Sequence, residues 1–519
     1  MLALLVALAA LGIQQRRVSD PHVRYDRFSL PAFDAYVHVA MAERPAVFTV
    51  APWGYRVLAP AAAAALPGNA VQGFRRLALL SLAGAATVLY FFLRRLGLAE
   101  APALVGVALF GLSPPVAESL RYVFLAEPLS CALELAFLLA VASGAGMGAL
   151  ALVMTTWALA KELWPVFLPL VLLREWRHGP RQALLAMLGV AAGPLAVTLV
   201  LRGWWWRPPS EVPGAAGSSV LGAATLALAS WRQWAQPMLL LGLTPLAAAG
   251  ALLTRARPFV SRYGWLALIL LGLPLGAASY VSGSFFAADV TRLMLYALPL
   301  LVALALMAFF PVTVSLAAEP LPPAGRRHGR TDRACGAAAA FVVFTLPFLL
   351  DRYRRIDLRQ ARDGPLVLAL CRESLQAAHR LDRGREVVFD PEGQRYQWGV
   401  SPPEEMGRMR WFLREGWGAL AHYGTGDIVM REATASLLVP CLRPRTLDAA
   451  LSLQAPSPRR VGLLLNGRSL GGRDVTTSAA ETVVRLPAED LFRGDNVLTV
   501  SDPGAPGLHL RRLVLRPAP

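Results

Sequence analysis

Three features of the 519-residue sequence predict an α-helical polytopic membrane protein of about eleven spans, followed by an extracytoplasmic antiparallel β-sandwich. Hydrophobic residues make up 55% of the chain, and the mean hydropathy is +0.47. Apolar runs near the length of a membrane helix recur to residue 350. After residue 434 the pattern changes to short alternating runs split by turn residues.

The first span is Met1–Ile13, which lacks the basic start of a signal peptide. Further apolar runs lie near 72–93, 102–117, 128–143, 182–201, 236–253, 264–282, 293–311 and 334–350. Between 146 and 173, "GMGALALVMTTWALAKELWPVFLPLVLL" would bury Lys161 and Glu162 at mid-membrane if it were one helix, at a cost of several kcal/mol. Two short helices, 147–160 and 163–173, place the pair in a turn instead. That break also puts "RRLGLAE", "REWRHGPR", "RARPFVSRY" and "RRHGRTDR" on one side, the cytoplasmic one by the positive-inside bias, with the N-terminus. The opposite side receives the first loop (15–71), 113–128, Lys161 and Glu162, the loop after Trp204–Trp205–Trp206, 284–292 and everything beyond Asp351. This topology fits a bacterial cytoplasmic membrane, with membrane lipids as neighbours.

The net charge of +17 follows the same loops, where anionic headgroups account for it, so nucleic acid is not an expected partner. Lys161 is the sole lysine. Of four cysteines, Cys131 and Cys335 lie in or beside spans; Cys371 and Cys441, in the tail, either pair outside the cell or remain small buried hydrophobes. No phosphate-binding loop or H-E-x-x-H pair occurs, and no internal repeat is visible.

Domain boundaries follow: a transmembrane domain to residue 351, a membrane-proximal connector over 352–433 with a strand-like "REVVFD", and the sandwich over 434–519. Asn466-Gly467 and "RGDN" (493–496) read as turns within it. Strand spacing, "NG" and "LFRGDN" give this module a resemblance to the jelly-roll, carbohydrate-binding-like domains appended to some membrane glycosyltransferases. A purely structural cap fits the same pattern.

The residues suited to chemistry share the extracytoplasmic side. Asp34 and His38 are four apart on an amphipathic interfacial helix that Ser29 and Pro31 can start, where Asp34 is also an ordinary first-turn acid. Arg56 follows in "PWGYRVLAP" with Trp53 and Tyr55. Arg292 and Asp289 lie in "ADVTRLMLYALP", as a phosphate arginine with its orienting acid or as a helix-end pair. Lys161 and Glu162 are either a solvated turn or part of a site. Glu127, before Pro128, is a helix-starting acid or a second cavity carboxylate.

An acidic residue in the first loop, the amphipathic helix, the "P-x-x-Y-R-x-L-x-P"-like run, the "KE" break and "D-x-x-R" before a late span together resemble the GT-C fold glycosyltransferases over residues 1–350. The resemblance implies an inverting displacement of a polyprenyl-phosphate sugar donor by an acceptor on an envelope glycan, lipid or protein. It implies Asp34 as the general base, with Asp20 and Asp26 of the same loop as the substitutes. The departing phosphate needs cations, for which Arg56, Arg292 and then Lys161 are the choices, with His38 as a further donor-binding residue and Glu127, Glu162 and Asp289 as supporting acids. Some relatives bind a divalent cation; without a D-x-D motif in the first loop, no required metal or other cofactor is expected. A transporter or flippase of a lipid-linked or anionic substrate would use the same arginines without breaking a bond. A scaffold would need none of them.

Overall fold

The computed structural model describes residues 1–18, 33–43, 47–48, 55–204, 244–253, 294–310, 329–350, 354–355, 374, 376–389, 416–417, 428–502 and 507–518. Residues Met1–Pro21 and Tyr55–Leu349 form one compact unit, and His22–Gly54 with Leu350–Pro519 a second.

The first unit is helical: α1 (Leu2–Arg17), α3 (Leu58–Ala65), α4 (Ala70–Arg95), α5 (Glu100–Gly111), α6 (Pro114–Arg121), α7 (Glu127–Ala142), α8 (Met147–Ala160), α9 (Leu168–Glu175), α10 (Pro180–Trp204), α11 (Thr244–Leu253), α12 (Leu298–Phe309) and α13 (Gly329–Leu350). Among the described residues, two helices are long and apolar enough to cross a membrane, Ala70–Arg95 and Pro180–Leu201. The bent pair α5 and α6 makes a third if it is one span. This is short of the eleven expected. One reason is length: the apolar helices α8 and α12 run only about 18–21 Å at 1.5 Å per residue, less than a hydrocarbon core of about 30 Å. The run at 264–282 and part of that at 236–253 lie outside the described residues.

Small residues let these helices approach closely. A Cβ on Gly73 would sit 2.2 Å from the Ala63 carbonyl oxygen, one on Gly111 2.7 Å from the Ala10 Cβ, and one on Gly193 2.3 Å from the Thr155 hydroxyl. Polar ties join helix ends. Gln14 donates to the Ser113 carbonyl (3.3 Å), Arg95 to that of Ala142 (3.0 Å), and the backbone N–H groups of Gly148 and Ala149 donate to Asp332 Oδ1 (2.8 and 3.2 Å). Each tie joins segments that the arginine pattern assigns to the same side.

The second unit holds α2 (Phe33–Glu43) and two sheets. One contains β1 (Val47–Phe48), β2 (Arg354–Arg355), β5 (Thr434–Cys441), β7 (Arg459–Leu465), β8 (Arg468–Val475) and β10 (Gly494–Ser501). The other contains β3 (Val387–Phe389), β4 (Ile428–Val429), β6 (Leu447–Gln454), β9 (Ala480–Leu486) and β11 (His509–Pro517). Inward residues of both, among them Leu437, Leu463, Leu498, Leu451, Val484 and Leu513, share one buried core, which defines a sandwich. Its strands are antiparallel except where β2 runs parallel to β1 and β10. Four short strands, β1 to β4, come from outside 434–519, β3 being the expected "REVVFD" strand.

Asn466 and Gly467, at φ +51° and +87°, make the two-residue β7–β8 turn, as expected. The "RGDN" expectation needs correction: Gly494, Asp495 and Asn496 begin β10. Burial explains it, because Asp495 and Asn496 are fully enclosed and their side chains bond inward. Asn496 accepts from the Phe492 N–H and from Asn466, and Ser374 donates to Asp495. Cys441 is buried, its thiol donating to the Arg443 carbonyl at 2.7 Å; Cys371 lies outside the described residues.

Candidate functional site: the open end of the α7–α8 hairpin

Pro165 ends α8. It has no N–H to offer the Lys161 carbonyl four residues back, and its ring crowds that carbonyl. Lys161 accordingly leaves the helix in an extended conformation, φ −164° and ψ 154°, and a 3-10 turn (Trp164–Phe167) leads into α9. The break predicted from two charged residues in an apolar run is therefore present, with Lys161 and Glu162 at its tip.

Pro128 starts α7 opposite this tip and sets Glu127 in its first turn. Lys161 Nζ lies 2.5 Å from Glu127 Oε1, with side chains 8% and 2% exposed. It also stands 5.0 Å from the centroid of the Tyr296 ring, in cation–π range. One turn further in, the Trp157 indole donates to the Ser130 hydroxyl at 2.6 Å. Lys161 follows Trp157 of α8 by four residues, and Glu127 and Ser130 are three apart on α7, so these are successive rungs of the hairpin. The same register carries Glu134 to the level of Met154. Both are fully buried, and neither oxygen of Glu134 has a hydrogen-bond partner among the described residues.

Glu162 points the other way round the tip, where Arg56 Nε donates to its Oε2 at 3.3 Å. This pair is more open, the side chains being 17% and 30% exposed. Both Nη groups of Arg56 make no hydrogen bond among the described residues, and Glu162 Oε1 is dry and has no partner. The tip thus offers an uncommitted guanidinium edge and an uncommitted carboxylate oxygen side by side. A second buried charge cluster lies at the end of α9: Arg174 Nε donates to Glu175 Oε1 (2.8 Å), and Glu175 Oε2 lies 3.1 Å from His178 Nδ1.

Of the residues expected to carry chemistry, the structure brings Arg56, Glu127, Lys161 and Glu162 together in the first unit. Asp34 is the second residue of α2 and His38 is fully buried in that helix, which belongs to the second unit. Asp20, Asp26, Asp289 and Arg292 lie outside the described residues. Sequence reasoning missed Ser130, Trp157, Tyr296 and Glu134. A lone carboxylate inside the apolar run 128–143 was the available signal for the last. Among the described residues no group of three or more His, Cys, Asp or Glu side chains is placed to hold a metal.

No family model and no curated protein matches the chain. Similar solved structures include the GH26-CBM35 β-(1,4)-mannanase of Podospora anserina, 12% identical with a TM-score of 0.18 over 26% of this chain, which spans 28% of that one. Another is the CBM36-1 domain of a multidomain xylanase from the hindgut metagenome of Trinervitermes trinervoides, 11% identical with a TM-score of 0.17, covering 26% of this chain and 99% of that. A third is a carbohydrate-binding module, CBM36, in complex with calcium and xylotriose, 13% identical with a TM-score of 0.15, covering 24% and 97%. All three are, or contain, carbohydrate-binding modules, and at these scores they carry no argument about ligand or activity.

Proposed function

We propose that this protein is an integral membrane glycosyltransferase that moves a sugar from a polyprenyl-phosphate donor to an extracytoplasmic acceptor of the cell envelope, with inversion. The observation that supports it is the open guanidinium edge of Arg56 beside the Lys161–Glu162 break, a cation set for a bidentate phosphate contact. In the reaction the acceptor hydroxyl oxygen attacks the anomeric carbon, and its proton passes to Asp34 as general base. The bond from that carbon to the phosphate oxygen breaks, and the oxygen leaves with the electron pair as polyprenyl phosphate, whose charge Arg56 stabilises. Lys161 has a different part from the one its charge suggests: bound to Glu127 and packed on Tyr296, it fixes the break in place. In this reading the N-terminus is cytoplasmic, the tail faces outward, and the reaction uses no metal.

The test is sugar transfer by the reconstituted full chain from a panel of polyprenyl-phosphate and polyprenyl-diphosphate sugars, alongside Asp34→Asn. Turnover should fall by roughly a hundredfold or more in the variant, with donor binding unchanged. Transfer retained in Asp34→Asn would remove that residue as the base. Saturable binding with no turnover of any donor would instead favour transport of the lipid-linked substrate.

A further inference from the structure

The Arg56–Glu162 pair is half used on both sides. Among the described residues, Arg56 uses Nε on the carboxylate and keeps both Nη groups, while Glu162 uses Oε2 on the guanidinium and keeps Oε1, which is enclosed and without a donor. A buried carboxylate oxygen lacking a donor is costly, so its natural complement is a ligand that brings an O–H or N–H to that point. The complement of the Nη edge is a set of anionic oxygens. A ligand satisfying both carries a hydroxyl close to a phosphate.

We infer that Glu162 is a specificity-determining residue that accepts a hydrogen bond from a sugar hydroxyl adjacent to the anomeric phosphate, while Arg56 holds the phosphate. This inference rests on the glycosyltransferase reading and deepens it by assigning the sugar-contacting side chain. It gives Glu162 two opposed effects. Its charge occupies Arg56 and so weakens the binding of a bare phosphate; its Oε1 rewards a phosphate with a neighbouring hydroxyl. A residue that merely braced the tip would move both ligands the same way.

The experiment is equilibrium binding of three probes to the detergent-solubilised full chain: a hexose 1-phosphate, its 2-deoxy analogue and inorganic phosphate. The wild type should prefer the hexose 1-phosphate over the 2-deoxy analogue by roughly tenfold, the size expected of a hydrogen bond to a charged group. Glu162→Gln should reduce that preference to less than about twofold and at the same time tighten inorganic phosphate. Glu162→Asp, which keeps the charge and draws the oxygens back, should lose preference without tightening phosphate, so an answer is obtained even where the Gln variant fails to fold. Equal binding of the two sugar phosphates by the wild type, or no binding of either, would overturn the inference. So would an undiminished preference in both variants. If the preference behaves as expected but no lipid-linked donor is turned over, the enzyme reading fails and this assignment stands; Asp34-dependent turnover with a Glu162-independent preference is the reverse case.

Discussion

The α7–α8 hairpin has a closed end and an open end, and the two ends use polar groups differently. At the closed end, side chains meet backbone. Arg95 donates to the last carbonyl of α7, and Asp332 accepts from the first N–H groups of α8, so the groups a helix terminus leaves orphaned are satisfied. At the open end, charges meet charges, and the pairs leave an Nη edge and a carboxylate oxygen over. Capping consumes hydrogen-bonding capacity; incomplete ion pairing retains it. The closed end therefore holds the fold, and the open end has something to offer a ligand.

The largest effect that can break this comparison comes from the buried rung. Glu127→Gln removes the carboxylate that faces a buried, charged lysine and should cost about 3–5 kcal/mol. Lys161→Met with Glu127→Leu removes both charges and should cost much less than either single change, as read by thermal unfolding in detergent. Singles that cost no more than about 1 kcal/mol would mean that the rung is wet and belongs with Arg56–Glu162 as a surface pair.

Changes at the closed end rank next. A Cβ on Gly148 would sit 2.1 Å from the Asp332 backbone carbonyl oxygen, which no side-chain rotation relieves, so Gly148→Ala should destabilise by roughly 1–3 kcal/mol. Asp332→Ala loses the acceptor for two helix-start N–H groups and should cost about 1–2 kcal/mol. Neither should alter hexose 1-phosphate binding. A loss of binding at either position would erase the distinction between a structural and a ligand-facing end.

How much of this was legible in the sequence depends on the range of the forces involved. The break at 161–162 was readable because charge in an apolar run and Pro165 act locally. The β7–β8 turn was readable from Asn466-Gly467 for the same reason. The partners were not: Glu127 with Lys161, and Arg56 with Glu162, are 34 and 106 residues apart, and only packing decides who faces whom. The "RGDN" stretch misled because its composition is that of a turn, while Ser374 and Asn466, distant in sequence, supply the bonds that let Asp495 and Asn496 enter the core. The sandwich module 434–519 has Phe492 as its sole Phe, Tyr or Trp, which leaves few rings on which a sugar can stack and fits the cap reading of that module.

The smallest stability effect is the most informative one. Arg56→Gln breaks a pair that is 17% and 30% exposed, so the loss of Coulomb attraction is screened, and unfolding should shift by less than about 1 kcal/mol. Binding should behave in the opposite way, because the glutamine amide carries no charge and cannot present two parallel N–H groups to a phosphate. Affinity for hexose 1-phosphate should drop by roughly tenfold or more. Lys161→Met combined with Glu127→Leu sets the contrast: binding should persist there if the tip keeps its shape, since that rung holds the break but touches no ligand. A variant that folds like the wild type and has lost phosphate is what a ligand-facing arginine must give. Should Arg56→Gln instead unfold the protein while the double apolar variant abolishes binding, the roles of the two pairs at the open end would be exchanged, and Lys161 would be the phosphate cation.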